Sequence, residues 1–362
     1  MQKIGILTFH ATVNYGATLQ AYALHRQIQS LGFEAEFIDY RPLTAQWADF
    51  KYLFFKGRFL LNPLQIPQGS QKLIKTGQFV NARLPMGKPR YLSAKSLSVT
   101  APQYSAIVCG SDEIWNIHSP IVGCDLSYFL DFVSGSNTDK ISYAASFGST
   151  VELEPPSLKE EVHGLLKDFD AIAVRDGNSM RLVEETGLSA TKVLDPTFLV
   201  SYDDILKTPK RQAPFILVYG CLSAEEGAYV DRAAKQTGQD VIAIGCQQRN
   251  WEPAYNYINV SPEEWLGYFS AASYIFTKFY HGTIFSIIFR KPFNSFYNPG
   301  KAIKVKDLLG DLDLMDRLLP ADLGTIKEPV LTQTIDWNLE QIHHLTEQSR
   351  AYLSRTLNQV KE

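Results

Sequence analysis

A histidine, a lysine and a hydroxyl gather around one glycine in Lys278-Phe-Tyr280-His281-Gly282-Thr283. An apolar run, Tyr274 to Phe276, precedes them, and a polar loop runs from Thr277 to Thr283. A second apolar segment, Ile284 to Phe289, is closed by Arg290 and Lys291 and stopped by Pro292. Basic residues followed by proline are helix-stop signals, so the stretch reads as strand, loop, helix. In that arrangement the loop lies at the carboxyl end of the strand, where the next helix presents backbone N–H groups to an anion, most simply a phosphate. Lys278 adds charge, Gly282 permits close approach and Thr283 adds a hydroxyl. His281 can exchange a proton near neutral pH. The plainer alternative is a core helix carrying an incidental histidine.

Other chemistry-bearing residues also follow strand-like runs. His10, Asn14 and Tyr15 lie in the turn after the first run, Lys3 to Phe9. Asp112, Trp115 and Asn116 follow Ala106 to Cys109. Asp112 and Asn116 could grip hydroxyls and Trp115 could stack on a sugar face, while a helix N-cap is the alternative for Asp112. Arg175 follows Ala171 to Val174 and could clamp a phosphate or carboxylate in bidentate fashion.

The elements that must position these residues alternate between strand and helix. After the first strand, Ala17, Ala21, Leu24, Ile28 and Leu31 share one helical face, and Gly32 ends it. Glu36 to Tyr40 is the next strand, giving a β-α-β opening and a parallel sheet. The opening turn lacks a Gly-x-Gly-x-x-Gly fingerprint, so no dinucleotide is inferred. A second half begins at Phe215 to Tyr219 and continues through Ala228 to Thr237, Val241 to Ile244, and a helix capped by Ser261 with Pro262. The spacing predicts a last helix capped by Asp336, using Leu339, Ile342, Leu345 and Leu353. The expected organisation is an N-terminal α/β domain over 1–200, a C-terminal α/β domain over 201–330, and a helix over 331–362 that packs back on the first.

A chain of 362 residues with 45% apolar and 20% charged residues fits a globular protein of two domains. No apolar run is long enough to span a bilayer, and the start reads as a strand rather than a signal peptide, so a cytoplasmic protein is expected. Cys109, Cys124, Cys221 and Cys246 show no paired spacing and read as reduced thiols. No metal site is evident, since the adjacent His343 and His344 point apart on a helix. Charge is uneven. Residues 41–104 hold ten basic residues and one acid, Asp49, leaving +9 there and −12 elsewhere in a chain of net −3. Aromatics lie among them: Trp47, Phe50, Tyr52, Phe54, Phe55, Phe59 and Phe79. This excursion, with Pro63, Pro67, Gly69, Pro85, Gly87 and Pro89, reads as loops with short helices. Its surface suits an anionic membrane or anionic ligand, or is a solvated insertion. No nucleic-acid motif accompanies it, and nucleic acid is not expected as a partner.

Together the motifs resemble one family. Asn14-Tyr-Gly-Ala-x-Leu-Gln-Ala-Tyr-Ala-Leu24, Ile38-Asp-Tyr40 and Gly110-Ser-Asp-x-Ile-Trp-Asn116 are similar to those of polysaccharide pyruvyl transferases. So are Tyr143-Ala-Ala-Ser-Phe-Gly148, Val174-Arg-Asp176, Asp195-Pro-Thr197 and the stretch from His281 to Phe293. The resemblance implies two Rossmann-like α/β domains facing across a cleft, a GT-B-like (glycosyltransferase B-like) architecture. It also implies phosphoenolpyruvate as co-substrate, a sugar or lipid-linked oligosaccharide as acceptor, and a pyruvate ketal as product. Two departures stand out. Family members commonly carry an acidic or arginine-bearing approach to the histidine where this chain has Thr277-Lys278-Phe279-Tyr280. Many also carry an arginine-containing stretch soon after the motif where Gly300 to Lys306 offers only lysines.

Ketal formation needs a general acid, a base for the attacking hydroxyl, and cations for phosphate and carboxylate. The expected roles are His281 and Asp112 in catalysis, with Arg175, Lys278, Tyr280, Gly282 and Thr283 on the donor. His10, Asn14, Tyr15, Trp115 and Asn116 are expected on the acceptor. No cofactor is expected. A membrane-facing role for residues 41–104 would place the protein peripherally at the inner face of the membrane. Two rivals remain open: a nucleotide-sugar glycosyltransferase using Gly245-Cys-Gln-Gln-Arg249, and a non-catalytic sugar-binding or assembly protein on the same fold.

Overall fold

The structure, a computed structural model, describes residues 3–360 except 57–59, 62–65, 120–122, 134–136, 212–213, 325, 327, 330 and 333. Arg58, Phe59 and Pro63 of the basic excursion lie outside the described residues. The chain forms two compact units. The first holds residues 1–62, 77–200 and 342–362, and the second 63–76 and 201–341.

The first unit opens with β1 (Lys3–Leu7), α1 (Tyr15–Ser30) and β2 (Glu34–Phe37). Asn14 starts α1 because its Oδ1 accepts from Gly16 N at 3.1 Å, satisfying a donor that the helix leaves unpaired. The excursion holds α2 (Leu43–Phe54), a two-residue antiparallel ribbon of β3 (Phe55–Lys56) and β4 (Leu60–Leu61), then α3 (Ile66–Arg83) and α4 (Ala94–Val99). Here the structure corrects the sequence reading. At 18 residues, α3 is a long helix, because Pro67 sits in its first turn, where a missing N–H costs nothing.

Next come β5 (Ala106–Cys109), β6 (Asp139–Ser142), α5 (Pro156–Lys167), β7 (Ala173–Val174), α6 (Gly177–Glu184) and β8 (Thr191–Lys192). The sheet order is β2-β1-β5-β6, all parallel. Ile141 and Ala145 continue it by single bridges toward Ala171 and Val174. The core gathers Leu7, Ile107, Cys109, Trp115, Phe129 and Phe147.

The second unit has β9 (Phe215–Tyr219), α7 (Ala224–Thr237), β10 (Asp240–Ile244), β11 (Tyr255–Tyr257) and α8 (Pro262–Ala271). It continues with β12 (Tyr274–Thr277), α9 (Tyr280–Ile288), β13 (Phe293–Ser295) and α10 (Ala302–Asp311). The sheet is again parallel, in the order β11-β10-β9-β12-β13. Every residue of β9 is buried, as expected of a parallel strand covered on both faces. The last helix, α11 (Leu339–Asn358), begins later than the sequence indicates: Asn338 Oδ1, not Asp336, accepts from Gln341 N at 3.1 Å. Its residues from 342 onward belong to the first unit, where Tyr352 and Leu353 are buried.

Strand order fixes where each unit can hold a ligand. In the first, the chain runs outward from β1 to β2 and then returns to place β5 on the other side of β1. In the second, it runs from β9 to β10 and β11, and β12 then joins the other side of β9. Ligands of open α/β sheets bind outside the carboxyl ends of the strands at such reversals. The positions concerned are the ends of β1 and β5 in the first unit, and of β9 and β12 in the second.

Candidate functional site

The second unit brings five expected residues to its switch point. Thr277 closes β12, and its hydroxyl donates to Tyr219 O (3.0 Å) and accepts from Phe279 N (3.2 Å). The hydroxyl therefore caps the turn, and α9 starts at Tyr280 instead of near Ile284. This moves His281, Gly282 and Thr283 from the expected loop into the first helical turn. Phe279, the N-cap, supplies no side-chain hydrogen bond. A Cβ at Gly282 would meet Thr277 Oγ1 at 1.9 Å, so only glycine lets α9 pack this closely on β12.

The five residues do different work. His281 is 7% exposed, with its ring 5.6 Å from that of Tyr280. Tyr280 in turn lies beneath Lys304 Nζ, 5.0 Å from the ring centroid. Lys304, from α10, is only 4% exposed, a rare burial for lysine. Nothing in the periodicity of Gly300 to Lys306 marks it out from its neighbours. The buried lysine over the Tyr280 ring thus lies beside the N-terminal end of α9, the positive end of that helix's dipole. Thr283 does not face a ligand edge; its hydroxyl bonds Ser295 Oγ at 2.6 Å inside the core. Nor does Lys278 offer an unbalanced charge, since its Nζ lies 2.7 Å from Glu226 Oε1, a partner 52 residues earlier in sequence.

Beside them, Gly220 follows β9 with φ +146, and a Cβ there would meet Lys278 Cβ at 2.6 Å. Cys221 and Cys246 follow the ends of β9 and β10. A hydrogen bond from Cys246 lowers the Cys221 thiol, burial opposes this, and Arg249, Lys72 and Lys278 add to the lowering. The sequence reading gave these thiols no role. The loop that a nucleotide-sugar enzyme would need, Gly245 to Arg249, is bonded to its own unit. Gln248 donates to Gly220 O (2.7 Å) and accepts from Leu222 N (3.0 Å), and Gly245 O accepts from Lys72 Nζ (2.8 Å).

The first unit holds the other expected residues, and several placements correct the sequence reading. Trp115 is 0% exposed, stacked on Phe129 at 5.2 Å, with its indole N–H donated to Tyr128 O. It is a core residue and has no face for a sugar. Arg175 is likewise sealed: its side chain is 0% exposed, Nη1 donates to Asp195 Oδ2 (2.9 Å) and Nη2 to Asp112 Oδ1 (3.1 Å). Both ends of the fork are thus held by carboxylates of its own unit. Asn116 spends its amide on Glu113, Ser149, Thr150 and His118 N. Tyr15 is 1% exposed, inside the core.

His10 is buried between Thr8 O (3.0 Å from Nδ1) and Asp39 Oδ1 (3.3 Å from Nε2). Burial works to raise the Asp39 carboxyl, but hydrogen bonds from His10, Arg90 and Arg41 outweigh it and hold the group well below the ordinary range. Asn14 is exposed, and its Oδ1 caps α1. Asp112 keeps a side chain 12% exposed in a left-handed conformation, φ +75. Such a φ is uncommon for a non-glycine residue and recurs at functional positions. Its Oδ1 is taken by Arg175 and Glu113 N, while Oδ2 has no protein partner among the described residues. Gln20, which the sequence reading passed over, joins the ends of β1 and β5 by donating to Thr8 Oγ1 (2.9 Å) and accepting from Ser111 N (3.3 Å).

Two parallel, Rossmann-like units place this chain in the GT-B-like class of α/β proteins. UDP-GlcNAc 2-epimerase from Methanocaldococcus jannaschii is similar to it in structure, with a TM-score of 0.52 and 10% identity over 99% of each chain. A second structure of that epimerase, in complex with UDP-GlcNAc and UDP, gives 0.48 at 10% identity and the same coverage. An α-glucosyltransferase in complex with UDP and a 13-mer DNA gives 0.49 at 10% identity, over 100% of this chain and 96% of that one. The fold assignment rests on the first. Among curated proteins, none matches. The family description of polysaccharide pyruvyl transferases matches residues 14–299. The chain belongs to the polysaccharide pyruvyl transferase family, which makes it a transferase acting on polysaccharide.

Proposed function

We propose that the protein moves pyruvate from phosphoenolpyruvate onto two hydroxyls of a sugar, in a surface polysaccharide or its lipid-linked precursor. The observation that carries this reading is His281 on the first turn of α9, beside Tyr280 and the buried Lys304 at the switch point of its sheet. The resemblance of the surrounding motifs supports the donor.

The chemistry assigns the residues. Protonation of the donor's methylene carbon makes the adjacent carbon electrophilic, and His281 is the group able to deliver that proton. One sugar hydroxyl adds to this carbon, phosphate leaves, and a second hydroxyl closes the ketal. Of the two hydroxyl protons released, one balances the proton taken up by carbon and the other leaves with phosphate. Lys304 and the first turn of α9 attract the phosphate and carboxylate as a point charge and a dipole. Within the first unit, Asp112 offers Oδ2 as the group able to orient a sugar hydroxyl. Arg175 acts only through Asp112, as a positioning residue.

The test is incubation with phosphoenolpyruvate and lipid-linked or surface glycans, reading phosphate release and the mass gain of one ketal group per modified sugar. His281→Ala should abolish both while keeping the native unfolding transition. Ketal formation at the normal rate in that variant would refute the assignment of His281.

A further inference from the structure

We propose that α2 and the neighbouring residues 90–95 form a docking face for an anionic lipid bilayer. Leu43, Trp47, Phe50 and Phe54 recur at four-, three- and four-residue intervals and so form one row along α2. The row leaves the core at Phe54, 7% exposed, and becomes progressively uncovered. Phe50 is 42% exposed, Trp47 53% and Leu43 62%. Rings join it along its length: Phe50 meets Phe54 at 4.8 Å, and Trp47 stacks on Phe50 at 5.4 Å and 16°. Leu53 and Phe54 pack with Val13 and hold the helix to its unit. Leu43 N donates to Leu92 O, which brings Leu92, 43% exposed, to the open end of the row.

Charge identifies the occupant. Lys51 Nζ sits 5.9 Å above the Trp47 ring, and Lys88 and Lys95 are exposed; Arg90, its side chain 56% exposed, is paired with Asp39. The one acid of residues 41–104, Asp49, is turned inward, accepting from Thr12 Oγ1 (3.0 Å) and Val13 N (3.2 Å). An exposed tryptophan-led row edged by cations, with no outward acid among residues 41–104, matches the boundary of an anionic bilayer, where aromatic rings settle at headgroup depth and lysines meet lipid charge. A second copy of the chain would set the same cations against each other in a two-fold interface. No helix among the described residues is long and apolar enough to cross a membrane.

The test is flotation of the full-length protein with vesicles of phosphatidylcholine alone, and of phosphatidylcholine with an equal part of phosphatidylglycerol. Binding is expected to the anionic vesicles only, to fall with added salt, and to drop about tenfold or more in Trp47→Ser/Phe50→Ser and in Lys51→Glu. Val99→Ser, an exposed position off the row, should bind normally. Equal binding to both vesicle types, or unchanged binding in both row variants, would overturn the proposal. So would a dimer on size-exclusion chromatography that Trp47→Ser dissolves, since the row would then belong to a second copy. The assay needs no turnover, so its outcome is independent of the donor assignment.

Discussion

Replacing Arg175 with methionine separates a structural arginine from a donor clamp. The substitution keeps much of the side-chain length and removes the charge between two carboxylates. Asp195 is 0% exposed and cannot turn to solvent, whereas Asp112, 12% exposed, can. Removing one partner of a buried ion pair costs about 3–5 kcal/mol, because the remaining charge stays desolvated. Asp195 would keep Thr197 N and Thr197 Oγ1 on Oδ1, and Ser111 Oγ on Oδ2, which places the loss near the lower end, about 3 kcal/mol. For a unit of about 200 residues, this lowers Tm by roughly 6–12 °C. The assay is thermal unfolding by circular dichroism, paired with phosphoenolpyruvate titration on the folded variant. Donor affinity should stay within about twofold of the native value. A Tm within about 1 °C of native together with a large loss of donor affinity would refute this reasoning and return Arg175 to the donor site.

Other perturbations follow from the same geometry. Gly282→Ala drives a Cβ into Thr277 and should destabilise the protein by about 1–3 kcal/mol in urea unfolding; an unchanged midpoint would mean that α9 shifts freely on β12. Asp39→Asn should weaken folding at neutral pH. Because the folded Asp39 pKa is depressed, its contribution is present above the ordinary carboxylate value and fades as pH falls below about 4. The deficit of the variant should therefore shrink on acidification, and a deficit that grows would contradict the network around His10. Among the cysteines, Cys109 and Cys246 are buried, burial and the charges of Glu161 and Asp125 raise the Cys124 thiol, and Cys221 is lowered. Iodoacetamide should label Cys221 first, at lower pH than Cys124. Faster labelling of Cys124 would reject the described thiol pairing.

Local signals located much of this architecture. Strand runs such as Phe215 to Tyr219 and Ala106 to Cys109 are apolar throughout because both faces are covered, and short-range caps at Asn14 and Ser261 need only their own neighbours. What escaped the sequence depends on partners far along the chain. Lys278 reads as an open cation until Glu226 is folded beside it, and Arg175 reads as a clamp until Asp195 and Asp112 enclose it. Trp115 is the same residue type whether it stacks on a sugar or on Phe129. The start of α9 shifted because one hydroxyl, Thr277, serves both the strand end and the helix entry. Lys304 is one of three lysines in its stretch, and only burial over Tyr280 distinguishes it.

The central claim is that the end of the second unit's sheet receives phosphoenolpyruvate. Calorimetric titration of the intact protein with phosphoenolpyruvate, with uridine diphosphate as comparator, tests it most directly. The account predicts binding of phosphoenolpyruvate and none of the nucleotide. It also predicts a loss of about tenfold or more in Lys304→Met, since hydrogen bonds to charged groups are worth about 1.5–3 kcal/mol. Binding of uridine diphosphate alone would contradict it and assign the same fold to glycosyl transfer.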